Sequence, residues 1–132
     1  MNDPINPAHY NGTACAQIGE RLTANSYQVL KYNWRLGRKD DPIIETGKSI
    51  WYLDREINLA KAGFRCLLDI PSDDFFLELL KGQDNFVFNV AISLIEWCRH
   101  NDARHLTRLR EIIVYKRAEL EDSATGQTTM AV

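Results

Sequence analysis

A chain of 132 residues with 45% hydrophobic and 26% charged residues has the size and balance of one globular domain with one core, which excludes a disordered or fibrous class. Its formal net charge of -2 excludes a broadly basic coat for nucleic acid but leaves room for a local basic patch. No apolar run approaches the roughly 20 residues of a membrane span, and the opening Met1-Asn2-Asp3-Pro4 has neither the basic nor the apolar region of a signal peptide, so a cytoplasmic protein with no membrane partner is expected.

In chain order, residues 1–12 are rich in Asn, Pro and Gly and read as an extended arm, with Pro4 and Pro7 disfavouring helix before them. Thr13 can cap a short helix reaching about Leu22, and Asn25 or Ser26 a second that ends near Gly37. Asp41 as N-cap, Pro42 at the first helical position, Glu45 in the first turn and Gly63 as the stop frame one long helix. Its apolar stripe is Ile43, Ile50, Leu53, Ile57 and Ala60.

A connector from Phe64 to Pro71 reads as buried. Ser72 can cap a short helix through Leu80 that Gly82 ends. Two more helices follow, one from about Asn85 to His100 and one starting after Asp102 that carries Leu106, Leu109, Ile112, Ile113 and Tyr115. The expectation is an all-α, compact bundle of about five to six helices, a single domain over residues 1–122, with residues 123–132 as a flexible tail. The segment Phe86 to Trp97 is more apolar than one amphipathic stripe requires. It reads either as the interface of a homo-oligomer or as the central core helix of a monomer.

Cys15, Cys66 and Cys98 are widely spaced, form no CxxC pair and, being three, cannot all be joined within the chain. They read as reduced structural thiols. His9, His100 and His105 do not stand at ligand spacing to any cysteine, so no metal site is assigned.

The chemistry concentrates in the second and third helices. Lys31, Arg35, Arg38 and Lys39 are spaced i, i+4, i+7 and i+8 and share one helical face. Tyr27, Tyr32 and Trp34 are interleaved with them, so one element offers rings for stacking and guanidinium forks for phosphate oxygens. Lys48, Tyr52 and Arg55 repeat the pattern on the third helix. An antiparallel hairpin across the turn from Gly37 to Asp41 would bring both stripes to one groove. The plainer reading is a solvated face in which Asp40, Asp41, Glu45, Asp54 and Glu56 neutralise the cations in exposed pairs. Trp51 is assigned to the core rather than to the site. His9 and Tyr10, in the arm, are candidate ligand contacts.

At Pro7-Ala8-His9-Tyr10, Lys31-Tyr32-Asn33-Trp34-Arg35-Leu36-Gly37-Arg38-Lys39-Asp40 and Lys48-Ser49-Ile50-Trp51-Tyr52-Leu53-Asp54-Arg55, the chain resembles the SaV-like family of small phage proteins. That family, formerly a domain of unknown function, includes the nucleotide kinase of T7-type phages. The resemblance covers about residues 4 to 59. It implies a phage protein of the host cytoplasm that binds a nucleotide or nucleotide-derived small molecule, with kinase activity on deoxynucleoside monophosphates and ATP as phosphoryl donor in some members. Relatives tend to carry acidic residues where this chain has Ala14, Cys15, Ala16 and Gln17, and alanine where it has Ser49.

The chain has no GxxxxGK[ST] loop, so phosphoryl transfer would rest on an electrostatic clamp. In that reading Lys31, Arg35 and Arg38 hold phosphates, Lys39, Lys48 and Arg55 complete the clamp, Tyr52 contacts the ligand, and His9 with Tyr10 closes the site. No general base is assigned. The alternative is a non-catalytic anti-defence protein that sequesters a nucleotide signal or binds a host defence protein. An all-helical nucleoside triphosphate pyrophosphatase would need paired ExxE and ExxD motifs on facing helices, and Glu119 with Asp122 stands alone near the tail.

Overall fold

The computed structural model describes residues 12–125, so the expected arm with His9 and Tyr10, and residues 126–132, lie outside the described part. Six helices occupy that part: α1 (Gly12–Gly19), α2 (Ala24–Trp34), α3 (Pro42–Lys61), α4 (Asp73–Leu79), α5 (Asn85–His100) and α6 (Arg104–Thr125). No strand occurs among the described residues, and the all-α expectation holds.

Helices α2, α3, α6 and α5 pack in a closed ring, each against the next, with α5 returning to α2, while α1 lies against α2 and α4. The interior is built from Val29 and Leu30 of α2, Leu53 of α3, Val90, Leu94 and Ile95 of α5, and Leu106, Leu109 and Ile113 of α6, all without solvent exposure. Burying such a side chain contributes roughly 1.5–3 kcal/mol. Helix α5 touches both α2 and α6, and Phe86, Phe88 and Ile92 pack partly buried against the same core. A central position within one chain therefore accounts for its excess of apolar residues.

Local chemistry sets the best-framed helix ends. The Asp41 carboxylate accepts from the Ile43 amide at 2.9 Å, with Pro42 beginning α3, and Gly63 takes a φ of +94° just past its end, a backbone open to glycine at little cost. Asp84 caps α5 by accepting from the Val87 amide at 2.8 Å. Asp41→Ala is expected to cost about 1 kcal/mol, the usual worth of an N-cap side chain, seen as a lowered urea midpoint with unchanged slope.

Several expected boundaries shift. Thr13 lies inside α1 rather than capping it, and α1 ends at Gly19, short of Leu22. An α-carbon substituent at Gly19 would sit 2.2 Å from the Tyr27 ring, so the close approach of α1 to α2 needs glycine there. Thr23 is the N-cap of α2, and α2 stops at Trp34. Asn25 and Ser26, within its first turn, reach instead to Glu56 on α3. That buried carboxylate accepts from Thr23 Oγ1 at 2.5 Å, Trp97 Nε1 at 2.8 Å, Asn25 Nδ2 at 3.2 Å and Ser26 Oγ at 3.4 Å. It lies at the positive end of the α2 dipole and ties α2, α3 and α5 together.

The connector after α3 is not buried. Phe64, Leu67 and Leu68 are exposed, Leu67 by 91%, and Cys66 alone of its apolar side chains is deeply covered. Polar contacts from the end of α5 hold it instead. Asn101, in the left-handed region at φ 57°, accepts from the Cys66 amide and donates to its carbonyl, while Arg99 donates to the Pro71 carbonyl at 2.8 Å and pairs with Asp73. Helix α6 continues through Thr125, so Ser123 and Ala124 are helical rather than tail. No described helix is long and apolar enough to cross a membrane.

Candidate functional site

The contacts between α2 and α3 run in opposite chain directions. Arg35 meets Glu45, Tyr32 meets Tyr52, and Thr23 meets Glu56. This is the expected antiparallel hairpin, and it gathers part of both cationic stripes around one ring. The Lys31 ammonium stands 4.8 Å from the centroid of Tyr32, the Arg35 guanidinium 5.0 Å and the Lys48 ammonium 5.6 Å. Tyr32 also stacks on Tyr52, with centroids 5.9 Å apart and planes 19° from parallel. Each cation lies within the range at which a ring quadrupole attracts positive charge.

The row of rings continues along α3. Trp51 meets Tyr52 edge-on at 4.9 Å, and the Arg55 guanidinium lies 4.9 Å from the Trp51 ring. Trp51 is 54% exposed, which corrects its assignment to the core. It stands two residues from both Ser49 and Leu53 of the buried stripe and so turns away from it, and its indole extends the aromatic surface from Tyr32 to Arg55.

Arg35 does not sit in an exposed stripe. It is 6% exposed, and its Nε lies 3.3 Å from Glu45 Oε1, whose residue has no exposure. Both Glu45 oxygens lack a hydrogen-bond partner among the described residues. The carboxylate is thus held chiefly by the charge of Arg35, in a setting where an uncompensated ion would be costly. Arg35 consequently orients Tyr32 and supplies field, with less freedom to grip a ligand than a surface guanidinium.

The helical spacing that joined Arg38 and Lys39 to Lys31 fails because α2 ends. Arg35 leaves helical geometry at φ -101° and ψ 20°, and Gly37 turns the chain at φ +79°. Arg38 and Lys39 are exposed in that turn, and Arg38 lines a separate cavity. Of the predicted site, the structure brings together Lys31, Arg35, Lys48 and Tyr52, places Arg55 two rings along, and sets Arg38 and Lys39 in the turn past the end of α2. His9 and Tyr10 lie outside the described residues.

Most of the carboxylates expected to neutralise the stripes have other partners. Asp41 caps α3, Asp54 pairs with Arg110 of α6 at 2.7 Å, and Glu56 takes the hydroxyl and indole donors. Glu45 does meet a predicted cation, but as a buried pair rather than an exposed one.

Helix α1, packed on α2, brings Cys15 near Lys31 and Arg35. Cys15 is buried, and burial pushes its thiol up to about 12 from an ordinary 9.0 although nearby Lys31 and Arg35 pull the other way. Cys98 is likewise pushed up to about 12 by burial. A thiol raised in the folded state favours folding below its unfolded value and loses that contribution as pH climbs through the folded one, so stability is expected to fall above about pH 9. At pH 8, iodoacetamide is expected to leave Cys15 and Cys98 unmodified in native protein and to alkylate both once urea unfolds it, as peptide mass mapping would read.

Trp51, Glu45 and Cys15 belong to the cluster without having been selected by pattern, and Tyr32, offered as a stacking ring, was not assigned to the site. Tyr32 carried a signal, since it stands next to Lys31 and three residues before Arg35. No protein-family model, no curated protein and no solved structure matches the chain.

Proposed function

We propose that the Tyr32–Tyr52 surface binds a nucleotide or nucleotide-like phosphate. The observation that carries this reading is the convergence of Lys31, Arg35 and Lys48 on one tyrosine ring that stacks on a second. Ammonium groups supply point charges for phosphate oxygens, and flat rings supply the faces on which a base stacks. Lys31 and Lys48 are the phosphate-facing groups, Arg35 positions Tyr32 and adds charge, and Trp51 with Arg55 extends the stacking surface.

The resemblance to SaV-like phage proteins supports a role in the cytoplasm of an infected host, with phosphoryl transfer from ATP to a deoxynucleoside monophosphate as the enzyme reading. In that mechanism the cations would neutralise charge on the transferring group, and positioning would do the rest. The second reading is sequestration of a nucleotide without turnover. It is favoured by the commitment of the carboxylate nearest the cations, Glu45, to Arg35, which leaves that group holding a cation rather than accepting a proton. A host defence protein as partner belongs to this same reading.

Chromatography of each deoxynucleoside monophosphate after incubation with protein, with and without ATP and magnesium, separates the two. Conversion to the diphosphate that depends on ATP supports the kinase. Saturable binding with the nucleotide recovered intact supports sequestration.

A further inference from the structure

We propose that the outer face of α6 is a homodimer interface, on which a second copy of this chain lays its own α6 antiparallel about a two-fold axis. The inner face of α6 is used within the chain, where Leu106, Leu109 and Ile113 are fully buried and Arg110 pairs with Asp54 of α3. The opposite face carries Arg108, Ile112, Tyr115 and Glu119. Their spacing of i, i+4, i+7 and i+11 is that of the seam between helices that pair side by side. All four are exposed, Tyr115 by 69%, and they border an open groove of about 460 Å³ that Phe86 of α5 also lines.

The order of residues along the seam selects the occupant. A two-fold axis midway along it, between Ile113 and Val114, sets Arg108 against the second copy's Glu119 at each end and Ile112 against its Tyr115 in the middle. Parallel pairing would instead set arginine on arginine and glutamate on glutamate, and like charges placed together across an interface repel. A uniformly acidic or basic partner would satisfy one end and be repelled at the other. Among the described residues neither Arg108 nor Glu119 makes an ion pair within the chain, whereas Arg104 and Arg110 of the same helix pair with Asp102 and Asp54.

The size of the seam sets the strength of the contact. From Arg108 to Glu119 the helix rises about 16 Å, and two such stretches bury less than the roughly 1,200 Å² at which stable association begins. The dimer is therefore weak, with a Kd on the order of 10–100 μM. It is separate from the Tyr32 surface and does not depend on a ligand there.

Sedimentation velocity of the full chain, over micromolar to millimolar concentrations and at low and high salt, tests the interface. The expected result is a monomer–dimer equilibrium that shifts towards monomer as salt rises. Arg108→Glu makes both positions of the seam acidic and Glu119→Arg makes both basic, so each variant alone should dimerise at least about tenfold more weakly. An equimolar mixture of the two, or one chain carrying both substitutions, restores opposite charges at each end and should recover wild-type association. Both positions are exposed and both changes suit the dipole of α6, so circular dichroism should match the wild type. A monomer at every concentration overturns the proposal. A dimer indifferent to the single reversals, or a loss that the double substitution does not repair, overturns it as well.

Discussion

Arg35→Met is expected to destabilise the protein by about 3–5 kcal/mol, the cost of removing one partner from a buried ion pair. Glu45 has no exposure and, among the described residues, no hydrogen bond to its oxygens, so deleting the guanidinium 3.3 Å away would leave a carboxylate with little to offset its lost hydration. The double substitution Arg35→Met with Glu45→Met removes both charges and is expected to recover most of the loss, because well-packed apolar side chains often replace such a pair at no net cost. Urea unfolding of the wild type, both single variants and the double variant measures the coupling. If Arg35→Met alone is neutral, the pair does not carry the energy assigned to it.

Lys31→Ala combined with Lys48→Ala is expected to weaken nucleotide binding by about 10- to 100-fold and to reduce its salt dependence, since two phosphate-facing charges are lost. Lys48 is exposed and Lys31 half-buried, so the urea midpoint should move little. That contrast distinguishes these two residues from Arg35, whose removal acts on both fold and site. Tyr32→Leu should reduce affinity through loss of the stacking face, worth roughly 1–3 kcal/mol per base. Fluorescence or calorimetric titration at low and high salt reads each effect. Unchanged affinity in the double lysine variant would place the ligand elsewhere.

Fold and site were legible in the sequence to different depths. Helices α3 and α5 were readable to their ends because their boundaries depend on chemistry within a few residues: Asp41 with Pro42 before α3, and the turn residues that flank α5. The connector was misread because apolar composition suggested burial at Leu67 and Leu68, whereas its support comes from Asn101 and Arg99, about 30 residues away in sequence. Such long-range polar anchors leave no local pattern.

Periodicity grouped Lys31, Lys48 and Tyr52, which do meet around Tyr32, but carried the α2 stripe past Trp34, where the backbone stops being helical. Arg38 and Lys39 stand instead in the turn beyond it. The burial of Arg35 was equally hidden, because its partner Glu45 comes from the facing helix. Residue type misled at Trp51, since a tryptophan at the edge of an apolar stripe can point to either side. The ring at the centre, Tyr32, stood in view between the charges, and only the facing helix shows that three cations meet there.

The most direct test of the central claim is calorimetric titration of the folded protein with mono-, tri- and cyclic nucleotides. Saturable binding of at least one of them is expected, with affinity that falls as salt rises and drops sharply in the Lys31→Ala, Lys48→Ala variant. No binding of any nucleotide to protein whose fold is intact by circular dichroism would contradict it and reduce the Tyr32 cluster to a solvated surface.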